Sequence, residues 1–186
     1  MDFSFTDEQN MLRDSVAKMM DKVATPEYIR RLEKEQAYPD EVYQAWVDMS
    51  LLSMPFPEEY QGLGGNAIDM VIIAEELGKR SFDFFQAYGG SVFCGLNVAK
   101  FGTPEQRAHW IPKLLSGEIK MSISMSEPDA GSDIGAMRTT AKRDGDQWVI
   151  NGRRSGPPAQ ARRTTSSAAT PRPTPRCITG KACRCS

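Results

Sequence analysis

Cysteine is almost missing from the first 152 residues, where Cys94 stands alone. It lies in an apolar, helix-like stretch and reads as a small buried hydrophobe. Cys177, Cys183 and Cys185 fall near the C-terminus, and the single histidine, His109, is far from them in sequence. With no fourth ligand beside those three cysteines, no metal site is expected. Long apolar runs are also lacking, and none approaches the roughly 20 residues that span a bilayer. The opening Met1-Asp2-Phe3-Ser4-Phe5-Thr6-Asp7-Glu8 has neither a basic-then-apolar signal pattern nor an Arg-rich transit pattern. A cytoplasmic protein with no membrane partner is the expectation.

Residues 153–186 lack acid entirely. They hold seven Arg, one Lys and five Pro, and Ile178 is their only large aliphatic residue. The whole chain has net charge −1, so with +8 in this tail the first 152 residues carry −9. An acidic body argues against nucleic acid as its partner. So few apolar side chains cannot offset the entropy of ordering, and a disordered basic tail over 153–186 is expected.

What is present in the first 117 residues is helical periodicity. Thr6-Asp7-Glu8-Gln9 is a capping box, followed by Met11, Leu12, Val16, Met19, Met20 and Val23 at helical spacing. Thr25-Pro26-Glu27 restarts a helix with Pro at its first position, and Pro39-Asp40 opens another carrying Val42, Trp46 and Met49. Pro55, Pro57, Gly62, Gly64 and Gly65 mark a long turn-rich loop. The stretch from Ala67 to Leu77 is apolar around most of its circumference, which predicts a helix central in a bundle. Residues 81–100 predict one or two helices, with Gly89-Gly90 as a break. Thr103-Pro104-Glu105-Gln106 is a second capping box, and Gly117 stops the helix it starts.

The period then changes. Residues 121–126 alternate, and two further strand-like runs, from Thr139 to Arg143 and from Gln147 to Asn151, flank the hairpin signal Asp144-Gly145. The fold class is therefore α+β: an all-α domain over 1–117, then the first strands of an antiparallel β-domain over 118–152. Between the first strand and the hairpin lies Ser126-Glu127-Pro128-Asp129-Ala130-Gly131-Ser132-Asp133. Hydroxyls, carboxylates and free backbone N–H groups crowd these positions, and Gly and Ala let a ligand approach the backbone closely. An ordinary polar strand exit reads equally well from these residues.

Taken in order, the words of this chain resemble the acyl-CoA dehydrogenase family. They are Phe5-Thr6-Asp7-Glu8-Gln9, Pro57-Glu58-Glu59-Tyr60-Gln61-Gly62 with Gly64-Gly65, and Ala74-Glu75-Glu76-Leu77-Gly78. Gly102-Thr103-Pro104-Glu105-Gln106, Ser126-Glu127-Pro128 to Asp133, and Trp148-Val149-Ile150-Asn151-Gly152 complete the set. Ser124 and Asp129 depart mildly from the family's usual small residues. The resemblance implies an FAD enzyme acting on the α,β bond of an acyl-CoA thioester: a carboxylate removes the α-proton and a hydride passes to flavin N5. Some family members run the reverse, enoyl-CoA reductase direction. By this resemblance Met125 and Ser126 lie against the flavin ring, Ser126 donates to its edge, and Ser132 contacts the CoA portion. Residues 84–93 line the acyl pocket or are plain bundle core. Glu127 and Asp133 read as structural, capping turns or pairing with Arg138 or Lys142. The catalytic base, the rest of the FAD site and the homo-oligomer contacts belong to a C-terminal domain in the family, so no catalytic residue is expected here.

At Arg153 the family pattern stops abruptly. A register shifted by one base near the Gly152 codon permits an alternating β-continuation, so the tail reads as out of frame. The expected product is a truncated, inactive acyl-CoA dehydrogenase with weak or absent FAD binding. Two other readings stay open: a stand-alone helical interaction module over residues 1–115, and a salt-sensitive polyanion binder driven by the cationic tail.

Overall fold

The computed structural model describes residues 4–154 apart from 124 and 146, without the side chain of Gln147. The expected tail disorder, and the Ser124 departure, therefore lie outside the described residues. The chain divides into two compact units, Met1–Ser122 and Ile123–Ser186.

The first unit is helical: α1 (Asp7–Val23), α2 (Pro26–Glu35), α3 (Asp40–Asp48), α4 (Ala67–Gly78), α5 (Phe82–Phe101) and α6 (Pro104–Leu115). Local chemistry starts them where the sequence indicates. The Thr6 hydroxyl accepts the Gln9 N–H at 3.2 Å while Gln9 Oε1 accepts the Thr6 N–H at 3.1 Å. Thr103 and Gln106 make the same pair of bonds at 3.3 and 2.9 Å. Such caps contribute about 1 kcal/mol each. A third box, Asn66 with Asp69, starts α4, and Gln9 Nε2 reaches Asp69 Oδ1 at 3.3 Å, so the caps of α1 and α4 are joined.

Helix α1 packs on α4, α4 on α5 and α5 on α6, with α3 against α1 and the short 3-10 turn at Leu51–Ser53. Trp46 sits fully buried among Val16, Met20, Tyr43, Leu51, Ile73, Leu77 and Tyr88. A second cluster of Phe56, Ile111 and Leu114 seats the Pro55–Gly65 loop on α5 and α6. Main-chain bonds hold that loop, among them Leu63 N–H to the Ser53 carbonyl at 3.0 Å and Gly65 N–H to Met54 at 2.7 Å.

Three expectations change. Gly89-Gly90 does not break α5, which runs unbroken for 20 residues. Packing of α5 on both neighbours outweighs the roughly 1 kcal/mol each Gly costs in a helix. Helix α4 is not central: Ile72, Ile73 and Leu77 are buried, but Ile68 and Val71 are 51% and 61% exposed. Residues 121–126 join no strand ladder among the described residues. Their alternation starts at Ile119, and its first partners are helix side chains, since Ile119 and Met121 pack against the Phe56 cluster.

The second unit contains an antiparallel hairpin, β1 (Thr140–Asp144) with β2 (Gln147–Asn151), in the register Thr140 to Asn151 and Asp144 to Gln147. Asp144 is still paired, with Gln147, and the reversal begins at Gly145, whose φ is 58°. Among the described residues no helix is long and apolar enough to cross a membrane.

At Gly95, α5 leaves no room for a side chain against α6 and Phe56. A Cβ there would come within 2.3 Å of Leu114 Cδ2 and 2.7 Å of Phe56 Cζ, both on buried side chains. Gly95→Ala is expected to destabilise the chain by about 1–3 kcal/mol through overpacking. Gly78→Ala, where a Cβ meets nothing within 4 Å, is expected to be neutral or slightly stabilising. Urea unfolding of the two variants checks the contrast.

Candidate functional site

A reversal at Pro128-Asp129 organises the candidate site. Glu127 N–H donates to the Ala130 carbonyl at 2.8 Å, and Ala130 N–H returns to Glu127 at 3.2 Å. This doubled bridge folds the chain back, so Met125-Ser126 and Gly131-Ser132 leave the turn at the same open end.

The buried Glu127 carboxylate then fastens the turn to the entry of the hairpin. It accepts the N–H of Arg138 at 2.7 Å and of Thr139 at 3.0 Å, and also the Thr139 hydroxyl. The Arg154 guanidinium lies 3.7 Å away. The Thr139 hydroxyl first, and then the Arg138 N–H, hold this carboxyl below its ordinary 4.5. Glu127 is thus structural, but its partners are the Arg138 and Thr139 N–H groups, the Thr139 hydroxyl and Arg154 rather than the Arg138 or Lys142 side chains. Arg138 instead faces Asp129 at 3.6 Å, an exposed pair that contributes little. Asp133 closes the other side of the loop, its carbonyl accepting the Ala136 N–H at 3.2 Å.

Met125, Ser126 and Ser132 are all exposed. Neither serine hydroxyl is engaged by another described group. The Met125 carbonyl takes a bond from Arg154 Nη1 at 2.6 Å, while its side chain stays 47% exposed. A thioether beside an unengaged hydroxyl suits a flat heteroaromatic ligand, with sulfur toward the ring face and the donor at its edge. These residues fit a flavin edge; they do not by themselves enclose a ring. Residues 84–93 divide differently: Phe84, Ala87, Tyr88, Ser91 and Val92 are core of the helical unit, and Tyr88 donates to the Leu51 carbonyl at 3.1 Å. Phe93, at 49% exposure, faces outward.

Two participants were not legible beforehand. Thr139 carries no signal that it would meet a carboxylate twelve residues earlier. Arg154 belongs to a stretch read as tail, yet it bridges Met125 and Glu127.

Comparison with known proteins bears on this arrangement. The family described as acyl-CoA dehydrogenase, N-terminal domain, matches residues 6–118. The probable acyl-CoA dehydrogenase YngJ of Bacillus subtilis is 35% identical over 153 residues, which cover 82% of this chain and 40% of that protein. A glutaryl-coenzyme A dehydrogenase solved with glutaryl-CoA superposes with TM-score 0.74 at 29% identity, covering 82% of this chain and 39% of that one. An acyl-CoA dehydrogenase from Bacillus anthracis solved with FAD gives TM-score 0.73 at 26% identity, covering 83% of this chain and 27% of its own. The chain thus spans about two-fifths or less of the proteins it matches.

The Glu127 network carries a pH signature. Its folded-state value lies below the ordinary 4.5, so its stabilising contribution is complete above about pH 4.5. The contribution is lost as pH falls through the lower folded value. The Thr139 amide resonance should titrate with a midpoint below 4.5, and in Glu127→Gln that titration should vanish.

Proposed function

Because the chain belongs to the acyl-CoA dehydrogenase family, we propose that residues 1–152 form the helical domain and opening β-hairpin of an FAD-dependent enzyme acting on acyl-CoA thioesters. The reaction assigned is α,β-dehydrogenation. The observation that carries the reading is the continuity of the match: it runs from the helical unit through the turn bearing Met125, Ser126 and Ser132. FAD, when bound, supplies the two-electron acceptor.

The chain's own residues do the rest that falls to them. Met125 would hold the ring with its thioether. Ser126 would offer its hydroxyl to the ring edge, and a fixed donor there would stabilise negative charge without reorganising. Glu127 holds Ser126 in place by locking the turn to Arg138 and Thr139. Ser132, at the same open end of the turn, meets the CoA portion. The intact enzyme is a homo-oligomer.

The 186-residue chain alone is not a catalyst. Residues 1–152 are assigned no catalytic base. The tail that follows carries eight cations and one large aliphatic residue, Ile178. The tail is read as the product of a one-base shift near the Gly152 codon.

The test is a chimera in which residues 1–152 replace the matching stretch of the Bacillus subtilis relative. It should purify with flavin, and the flavin should bleach on addition of an acyl-CoA. Ser126→Ala in that chimera should slow bleaching by about 10- to 100-fold. A folded chimera that holds no flavin overturns the reading; one bleached at an unchanged rate by Ser126→Ala removes Ser126 from it.

A further inference from the structure

The stretch that leads from α6 toward Met125 is seated on the helical unit from two sides. Ile119 N–H donates to the Lys113 carbonyl at 3.1 Å. Ile119 and Met121 pack against Phe56, Ile111 and Leu114. Lys120, between them, turns to the other side. Its ammonium lies 4.3 Å from the centre of the Tyr38 ring and 5.0 Å from that of Tyr43, and it is ion-paired with Asp40. Tyr43 donates to Ser91 Oγ at 3.1 Å, and Ser91 donates to the Met121 carbonyl at 3.5 Å. Position 90 is glycine, where a Cβ would stand 3.5 Å from that carbonyl.

An exposed lysine ion pair alone contributes little. Here the side chain is only 22% exposed, and two aromatic faces add to the charge pairing. The same tyrosine that receives the ammonium also starts the hydroxyl relay to the next residue. Lys120 and Met121 are therefore held by one device, built from Tyr38, Asp40, Tyr43 and Ser91.

We infer that Lys120 is a positioning residue, a latch that pins residues 119–122, the stretch from which the chain runs on to Met125 and Ser126. The functional half of this statement rests on the flavin reading above; the latch itself does not. Three residues separate Met121 from Met125, so the anchor lies next in the chain to the site-bearing residues.

Amide hydrogen exchange on the 186-residue chain tests it. Lys120→Met keeps the stem and removes the charge. It should speed exchange of the Ile119 amide, which is bonded to the Lys113 carbonyl, by roughly 5–30-fold, while the amides of Trp46, Ile72 and Leu77 keep their wild-type rates. Lys120→Arg should restore protection, because guanidinium also stacks on tyrosine and pairs with a carboxylate. Asp40→Asn, at an exposed position, should give a smaller acceleration at the same amide. Unchanged exchange at Ile119 in both Lys120→Met and Asp40→Asn overturns the latch. So does equal acceleration of the core amides, which would make Lys120 a general stabiliser. If Lys120→Met fails to fold, Asp40→Asn decides. In the chimera, Lys120→Met should weaken FAD retention, and Lys120→Arg should restore it. A latch that exchanges as expected in a chimera holding no flavin leaves positioning intact and refutes the flavin reading.

Discussion

The indole of Trp46 is the fixed point of the helical unit. No part of it is exposed, and its ring meets Tyr43 at 5.5 Å and Tyr88 edge-on at 6.0 Å. Its Nε1 has no hydrogen-bond partner among the described residues, a cost that the surrounding packing offsets. Each neighbouring tyrosine then uses its hydroxyl to fix something further out. Tyr88 holds the carbonyl of Leu51, at the start of the 3-10 turn that precedes the Pro55–Gly65 loop. Tyr43 holds Ser91 on α5 and, through it, the carbonyl of Met121. Burial pushes the Tyr43 hydroxyl up to about 12, so it remains a donor across the physiological range. An aromatic centre thus reaches from the middle of the bundle to the main chain at Met121.

The second unit depends on a different device. Among its described residues it offers one buried carboxylate, Glu127, and little apolar core: Ile123, Met125, Ile134 and Trp148 are each close to half exposed. A two-stranded hairpin with so little burial is marginal in water. Four contacts on one carboxylate are what give its turn a single shape, by tying residues 127–130 to residues 138 and 139. Charge and hydrogen bonding do there what packing does in the helical unit.

The helix starts were legible because capping chemistry is local: Thr6 with Gln9 and Thr103 with Gln106 sit three residues apart, as the bonds require. The hairpin was legible for the same reason, through Asp144-Gly145. What failed were inferences from local propensity where tertiary contact decides. Gly89-Gly90 looked like a break because glycine weakens an isolated helix, but α5 is braced by α4 and α6. The α4 stretch looked central because its composition is apolar, yet Ile68 and Val71 point outward. At the site, Ser126 and Ser132 stood out through their placement among small residues. Thr139, Arg154 and Lys120 did not, since their partners lie 12, 27 and 80 positions away in the chain.

The proposed account is a family-typical helical unit followed in the chain by a turn whose Met125 and Ser126 would face one edge of a flavin. Titration of FAD against the purified 186-residue chain, followed by flavin fluorescence and absorbance, tests that account most directly. The account predicts no saturable binding and no bleaching by any acyl-CoA, because the described residues fit one edge of the ring without enclosing it. Stoichiometric flavin that bleaches on addition of an acyl-CoA would contradict it.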